Sequence, residues 1–217
     1  MTAYYPIFLN IEGRRCVVVG GGDVAERKAR SLLEHGASVA VISPSFSQGL
    51  QAMAQRNSMQ VVSRSYQYGD LKDAVVAIAA TDDKEVNTEV AREGKERGIL
   101  INVVDDAQLS NFIVPSLVRR GDISIAISTS GKSPALARRI RIDLEKRFSQ
   151  EYALLAELIS EIRQDFKTKG CRINPDAWQR SLDLDVLLDM LKKGQYQAAK
   201  AKLLRELESK GAAAPSP

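Results

Sequence analysis

A continuously apolar, β-branched run, Cys16-Val17-Val18-Val19, stops on three consecutive glycines and gives way at once to a helix-forming segment. That junction constrains the fold more than any other feature of the chain. An apolar run without polar alternation is the pattern of a parallel strand buried on both faces. From Asp23 to His35, the apolar positions Val24, Ala25, Ala29, Leu32 and Leu33 recur at helical spacing, and Gly36 supplies the stop. A second strand, Ser38-Val39-Ala40-Val41-Ile42, closes on Ser43-Pro44. Strand patterns follow at residues 60–63, 74–80 and 99–104, with helical ones at 48–56 and 85–97. Strands alternating with helices through short connections form right-handed βαβ units. The expected fold class is α/β, a Rossmann-like doubly wound parallel sheet.

After Val104 the pattern changes. Ile123–Ile127 has strand character and suits pairing with a partner sheet. Ser133 as N-cap and Pro134 at the first helical position open a long helix, along which Leu136, Ile140, Leu144, Phe148 and Leu155 share one face. The remainder reads as helices broken near residues 170–175 and at Gly194, with a frayed tail over residues 211–217. Three parts result: a doubly wound domain over residues 1–113, a small α+β segment over 114–150, and a helical C-terminal domain over 151–217.

With 217 residues, 44% hydrophobic and 27% charged, the chain is long enough for one full domain and a smaller one, and its composition is globular. Cys16 and Cys171 lie far apart and match no metal-ligand spacing, so neither a disulfide framework nor a metal site is expected. No apolar run reaches the roughly 18 residues of a membrane span, and the N-terminus lacks the pattern of a signal sequence. A soluble, cytoplasmic setting without membrane contact is the expectation. The net charge is +4, yet residues 114–150 carry eight basic against three acidic side chains, while residues 1–113 are slightly acidic. Such a basic segment attracts nucleic acid, an anionic membrane or a polyanionic small molecule, and sign alone does not choose. Trp178 and the tyrosines are not interleaved with basic residues, so nucleic acid is not expected as a partner.

Three constellations can carry chemistry. Gly20-Gly21-Gly22-Asp23-Val24-Ala25 fits the Gly-x-Gly-x-x-(Gly/Ala) fingerprint between a strand and a helix. Gly20 allows the tight turn, Gly22 lets backbone approach a pyrophosphate, and Ala25 keeps the helix close to the sheet. The phosphates would rest on the first N–H groups of the helix, favoured by its dipole. The generic fingerprint expects a carboxylate at the end of the second strand. Here Ser43, Pro44 and Ser45 stand there, with neither an acid nor a neighbouring arginine, and NAD is preferred over NADP. The second constellation, Asn102-Val103-Val104-Asp105-Asp106, follows a strand and so lies at the carboxyl edge of the sheet, where open α/β folds bind ligands. A carboxylate there can take a proton, or equally form an Asx turn that caps the strand end. Thr81 reaches the same edge on the nicotinamide side, and Asp82 and Asp83 suit capping of the next helix. The third is Ser128-Thr129-Ser130-Gly131-Lys132-Ser133-Pro134, followed by Arg138, Arg139 and Arg141. A hydroxyl-rich loop entering a helix suits anionic groups, with Ser128, Ser130, Lys132 and Arg138 as candidates. The P-loop spacing is absent, and any single arginine reads equally as part of a solvated face. His35, in a helix C-terminal turn, suits the helix dipole rather than catalysis.

Taken together, Tyr5-Pro-Ile-Phe-Leu9, Val19 to Arg30, Ala79-Ala-Thr-Asp-Asp83, Asn102-Val-Val-Asp105, Asn111 to Ser116 and Ser128 to Ala137 resemble the precorrin-2 dehydrogenase family, which includes the sirohaem-synthase dehydrogenase/ferrochelatase modules. The resemblance runs in order from about residue 4 to residue 150. It implies NAD-dependent oxidation of precorrin-2 to sirohydrochlorin, with ferrous iron as a further substrate in some members. It also implies an intertwined homodimer, with residues 114–150 as the dimerisation segment. Carried over by position, the family's essential aspartate falls on Asp105, and its NAD contacts on the glycine turn with Asp23 and Val24 and on Pro44 and Ser45. Two rival readings stay open: a non-catalytic NAD-binding redox sensor, and a dehydrogenase of another small anionic substrate.

Overall fold

In the computed structural model, residues 4–56, 59–171 and 173–210 are described. They fall into two units, Met1–Val114 and Pro115–Pro217. The tail reading for residues 211–217 lies outside the described residues.

The first unit alternates strand and helix: β1 (Arg15–Val19), α1 (Asp23–Glu34), β2 (Ser38–Ile42), α2 (Gln48–Gln55), β3 (Gln60–Val62), β4 (Val76–Ala79), α3 (Lys84–Arg97) and β5 (Leu100–Val103). The strands pair in parallel in the order β3-β2-β1-β4-β5. Side chains alternate across the sheet, and both faces are covered. Cys16, Val18, Val39, Val41, Val76 and Ile78 pack beneath Ala25, Ala29 and Leu32 of α1. Val17, Val19, Ala77, Ala79, Ile101 and Val103 pack beneath Val90 and Ala91 of α3. Two buried faces explain why these strands read as unbroken apolar runs.

The long connection between β3 and β4 is pinned to α3 by a carboxylate. Glu93 is 0% exposed. It accepts from the Tyr66 hydroxyl, from the Gly69 N–H at 2.8 Å and from Arg97 Nε at 2.6 Å. Burial pushes the Glu93 carboxyl up, but these three donors outweigh it and hold the group below its usual range. Burial and the same carboxylate push the Tyr66 phenol upward. Within the loop, Arg64 grips Asp70 through both nitrogens at 2.7 and 2.6 Å.

The second unit opens with an antiparallel hairpin of β6 (Ser116–Arg120) and β7 (Ile123–Ile127), turned at Gly121 with φ +57°. The strand expected at Ile123–Ile127 therefore pairs within its own chain, with a partner strand absent from the sequence reading. Helices α4 (Pro134–Arg147), α5 (Glu151–Thr168), α6 (Pro175–Ser181), α7 (Leu184–Lys192) and α8 (Tyr196–Ser209) follow. As expected, Ser133 caps α4, its Oγ accepting from Leu136 N at 3.2 Å, with Pro134 in the first turn. The long helix carrying Leu136 through Leu155 on one face is corrected. The chain leaves helical geometry at Phe148, with φ −93° and ψ +86°. Arg120 explains the stop: its Nε donates to Phe148 O at 2.6 Å and its Nη2 to Glu145 O at 3.0 Å, satisfying carbonyls at the end of α4. Leu155 is buried with Leu158, Ile162, Leu187 and Leu203 in the core of the following helices, while Leu136 is 51% exposed. A further break, at Leu182–Asp183, comes from Asp183 capping α7.

Glu93→Gln is expected to lower stability by about 3 kcal/mol at neutral pH, because it removes one partner of a buried charged network. Urea denaturation measures this. Since the carboxyl titrates lower in the folded protein, its contribution is complete above its ordinary value near 4.5 and is lost as pH falls through the folded value. The variant's stability should therefore fall less steeply on the acid side than the wild type's.

Candidate active site

The sheet reverses its strand order between β1 and β4, the place where open α/β folds leave a crevice. Val19, Ala79 and Val103 stand in register across β1, β4 and β5. Three loops therefore leave the sheet side by side across about 10 Å, two strand spacings.

The first loop is the glycine turn. Gly20 has φ +128°, and a Cβ there would overlap the Ala80 carbonyl oxygen, so only glycine lets β1 turn against β4. Its N–H donates to Ile42 O at 2.9 Å. A Cβ on Gly21 would overlap Ser45 O, and the Gly21 carbonyl accepts from Ser47 N at 2.7 Å. Gly22 differs from both. Its backbone is extended (φ −86°, ψ −173°), and no heavy atom lies within 4 Å of where its Cβ would stand. Gly22 is the N-cap of α1 and brings no side-chain hydrogen bond. The first N–H groups of α1, on Asp23 and Val24, have no hydrogen-bond partner among the described residues and follow a position with room for a ligand. Ala25, 0% exposed, seats the helix on the sheet. These residues fit a dinucleotide pyrophosphate: orphan donors, the positive end of a helix dipole and space above them.

Ser43 is 7% exposed, and its Oγ accepts from Ser45 N at 3.5 Å, so it shapes the loop from within. Pro44 and Ser45 are exposed on the rim. Ser47, which the sequence reading passed over, ties the loop to α1: its Oγ donates to Glu26 Oε2 at 2.7 Å and accepts from Leu50 N at 3.2 Å. The Ser47 hydroxyl and Arg30 together hold the Glu26 carboxyl below its usual range. A serine three residues before Leu50, at the start of an apolar-periodic stretch, was the available signal.

At the end of β4, Thr81 Oγ1 accepts from Asp83 N at 3.2 Å, and Thr81 O accepts from Asn87 Nδ2 at 3.0 Å. Asp83 caps α3, accepting from Glu85 N and Val86 N. Asp82 is exposed.

Beyond β5 the two adjacent aspartates divide their roles. Asp106 Oδ1 accepts from Gln108 N at 2.9 Å and Leu109 N at 3.1 Å, and the Ser110 hydroxyl donates to Asp106 O at 2.6 Å. The Asx-turn role belongs to Asp106. Asp105 stands in the left-handed region, φ +61°, with an exposed side chain and no hydrogen bond of its own among the described residues. A left-handed non-glycine residue costs on the order of 1 kcal/mol and is seen where the surroundings hold it, often at functional sites. Asn102 Nδ2 donates to Phe112 O at 3.2 Å, and Asn111 accepts from Ile101 N of β5 and donates to Ile99 O just before that strand. These bonds lash the segment after the loop back along the strand.

Ser128, Ser130, Lys132 and Arg138 all belong to the second unit. Ser128 Oγ accepts from Ser130 N at 3.0 Å, and Ser130 is left-handed at φ +52°. Thr129, absent from the sequence candidates, closes the loop by accepting from Ser133 N at 3.0 Å and Lys132 N at 3.0 Å, through Oγ1 and its carbonyl. Lys132 and Arg138 are exposed at the start of α4. Arg139 and Arg141 form i,i+4 ion pairs with Asp143 and Glu145, the solvated-face role. His35 Nδ1 lies 2.7 Å from Ser31 O at the end of α1. Burial pushes the Cys16 thiol up to about 11. Among the described residues no group of three His, Cys, Asp or Glu side chains is arranged to hold a metal, and no helix is long and apolar enough to cross a membrane.

A family profile described as NAD(P)-binding matches residues 7–116, and one described as sirohaem biosynthesis protein central matches residues 120–147. A sirohaem synthase of Chromobacterium violaceum is 37% identical over 211 residues, covering 96% of this chain and 45% of the relative. One of Photobacterium profundum is 38% identical over 208 residues, covering 95% and 44%. The chain thus spans about half the length of the curated relatives it matches. Among solved structures, SirC, a precorrin-2 dehydrogenase, shares the fold with a TM-score of 0.67 and 24% identity, over 95% of this chain and 100% of that one.

The glycine geometry separates folding from binding. Gly20→Ala should cost at least about 2 kcal/mol, since a left-handed φ and a backbone overlap combine. Gly22→Ala should keep its stability within about 0.5 kcal/mol, yet weaken NADH binding roughly tenfold or more by filling the space above the helix N-terminus. Thermal melts and NADH fluorescence titration check both.

Proposed function

This chain belongs to the NAD(P)-binding family whose profile spans residues 7–116, and we propose that it oxidises precorrin-2 to sirohydrochlorin with NAD as electron acceptor. The observation that carries the reading is the division of labour after β5. Asp106 makes the turn, so Asp105 is left exposed beside the crevice with its carboxylate uncommitted. NAD, when bound, supplies the hydride acceptor. The chain's own residues do the rest. Gly22, Asp23 and Val24 seat the pyrophosphate by backbone N–H groups, with Gly20 shaping the turn. Ser43, Pro44 and Ser45 border the adenosine ribose, and the lack of an arginine there supports NAD over NADP. Thr81 and Asn102 border the nicotinamide side. Asp105 accepts the proton lost as the ring position gives up its hydride, and holding both partners face to face supplies the remaining advantage.

Ferrous iron is the further substrate in this proposal. The Asp105 carboxylate that takes the proton in oxidation can take pyrrole N–H protons as the ion enters. Residues 114–150 form the dimerisation segment of a homodimer, between the NAD-binding domain over 1–113 and the helical domain over 151–217. Ser128, Ser130, Lys132 and Arg138 grip the substrate's carboxylate arms, a role supported by the basic excess of that segment. A cytoplasmic setting is supported by two free cysteines.

The test is an anaerobic assay with precorrin-2, supplying NAD, NADP and Fe²⁺ separately and together. NADH formation dependent on precorrin-2 is expected. Simple hydroxy acids giving NADH instead would point to the other dehydrogenase reading, and no turnover at all to the sensor. Asp105→Asn, which tolerates a left-handed backbone equally well, should keep NAD affinity while losing roughly 100-fold or more in kcat. Wild-type turnover in that variant would remove Asp105 from the chemistry.

A further inference from the structure

Between the glycine turn and the aspartate pair lies the loop that leaves β4, and its geometry is fixed from α3. Asn87, in the first turn of that helix, reaches back to donate from Nδ2 to Thr81 O at 3.0 Å. Asp83 N donates to Thr81 Oγ1 at 3.2 Å and closes the other side of the loop. The far end of the same amide, Asn87 Oδ1, is buried and has no hydrogen-bond partner among the described residues. An acceptor left in that state costs stability, so a leucine of similar size would suit the packing better. What asparagine adds at this position is the donor to Thr81 O. The consequence runs through a planar peptide. In a trans peptide the C=O and the N–H point in opposite directions. Turning the Thr81 carbonyl onto α3 therefore turns the Asp82 N–H away from α3, and that N–H has no partner among the described residues. α3 covers one face of the sheet and α1 the other, so the donor leaves on the side from which α1 starts. The carbonyl just before it, Ala80 O, is the one that leaves no room for a Cβ on Gly20, so this loop and the glycine turn touch.

We propose that Asn87 is a positioning residue of the cofactor site: by holding the Thr81 carbonyl, it presents the Asp82 N–H to an acceptor oxygen on the nicotinamide half of the dinucleotide. That oxygen belongs either to a hydroxyl of the second ribose or to the carboxamide, and each accepts an N–H in the same way. The inference rests on the functional reading, which puts NAD in this crevice with Thr81 on the nicotinamide side. It goes further by naming the group that binds and the residue that aims it. Thr81 Oγ1 and Thr81 O both accept from the chain itself, which leaves the next N–H as the loop's contribution.

NADH, ADP-ribose (which ends at the second ribose) and ADP (which stops at the phosphates) read the site piece by piece on the whole chain. Asn87→Leu removes the donor at similar volume, and Asn87→Asp keeps the shape while setting an oxygen against the carbonyl. Both should weaken NADH roughly tenfold or more in fluorescence titration, with ADP affinity by calorimetry within about twofold of wild type. ADP-ribose weakened alongside NADH assigns the acceptor to the ribose, and ADP-ribose unchanged assigns it to the carboxamide. In turnover the loss should appear in KM for NAD rather than in kcat. Wild-type NADH affinity in Asn87→Leu overturns the proposal, as does an equal loss for all of the ligands, the signature of a disturbed fold. The wild type supplies an independent reading: its Asp82 amide resonance should shift on adding NADH and stay in place with ADP. An Asp82 amide indifferent to NADH overturns the proposal without any variant. A wild type that binds NADH but does not oxidise precorrin-2 overturns the reaction in the functional reading and leaves this donor standing, whereas one that binds no NADH overturns both.

Discussion

Where β1 and β4 end side by side, the Gly20 backbone passes so close to the Ala80 carbonyl that no side chain fits between them. The crevice at the sheet edge depends on this approach. The left-handed turn it requires sends the chain out as extended backbone at Gly22, and α1 then starts with bare N–H groups rather than a capping side chain. The same closeness recurs one residue on, where Gly21 abuts Ser45 and accepts from Ser47. Ser47 in turn locks to Glu26 of α1. Two glycines are therefore packing devices, and the third is left to face a ligand.

The far side of the crevice is built by a different economy of hydrogen bonds. After β5 the chain must turn, and Asp106, Ser110 and Asn111 bond to backbone groups of the turn and of the strand before it. Their work leaves Asp105 turned outward in a strained conformation with its charge uncommitted.

Much of the first unit could be read from residue order because parallel strands buried on both faces have no polar positions to disguise them. The bounds of β1, β2 and α3 fall within a residue or two of the expected ones. The second unit was less legible. β6 carries Arg119 and Arg120 and declares itself a strand only when Gly121 folds it onto Ile123–Ile127. The helix expected to run on to Leu155 stops at Phe148 because Arg120, 28 positions earlier, caps its carbonyls. No local pattern carries such a partner. Likewise, adjacent aspartates look alike as letters, and only the turn shows that Asp106 is engaged and Asp105 is not.

Local chemistry therefore determined the α/β class, the strand order's raw material, the glycine turn and the capping of α4, since each rests on the preferences of neighbouring residues. Tertiary structure alone decided which glycine packs and which faces open space, where the long helix breaks, and which of two adjacent aspartates is left exposed. Those outcomes depend on contacts between segments distant in sequence, and a backbone overlap, a carbonyl awaiting a donor or a half-buried charge exists only once the segments have met.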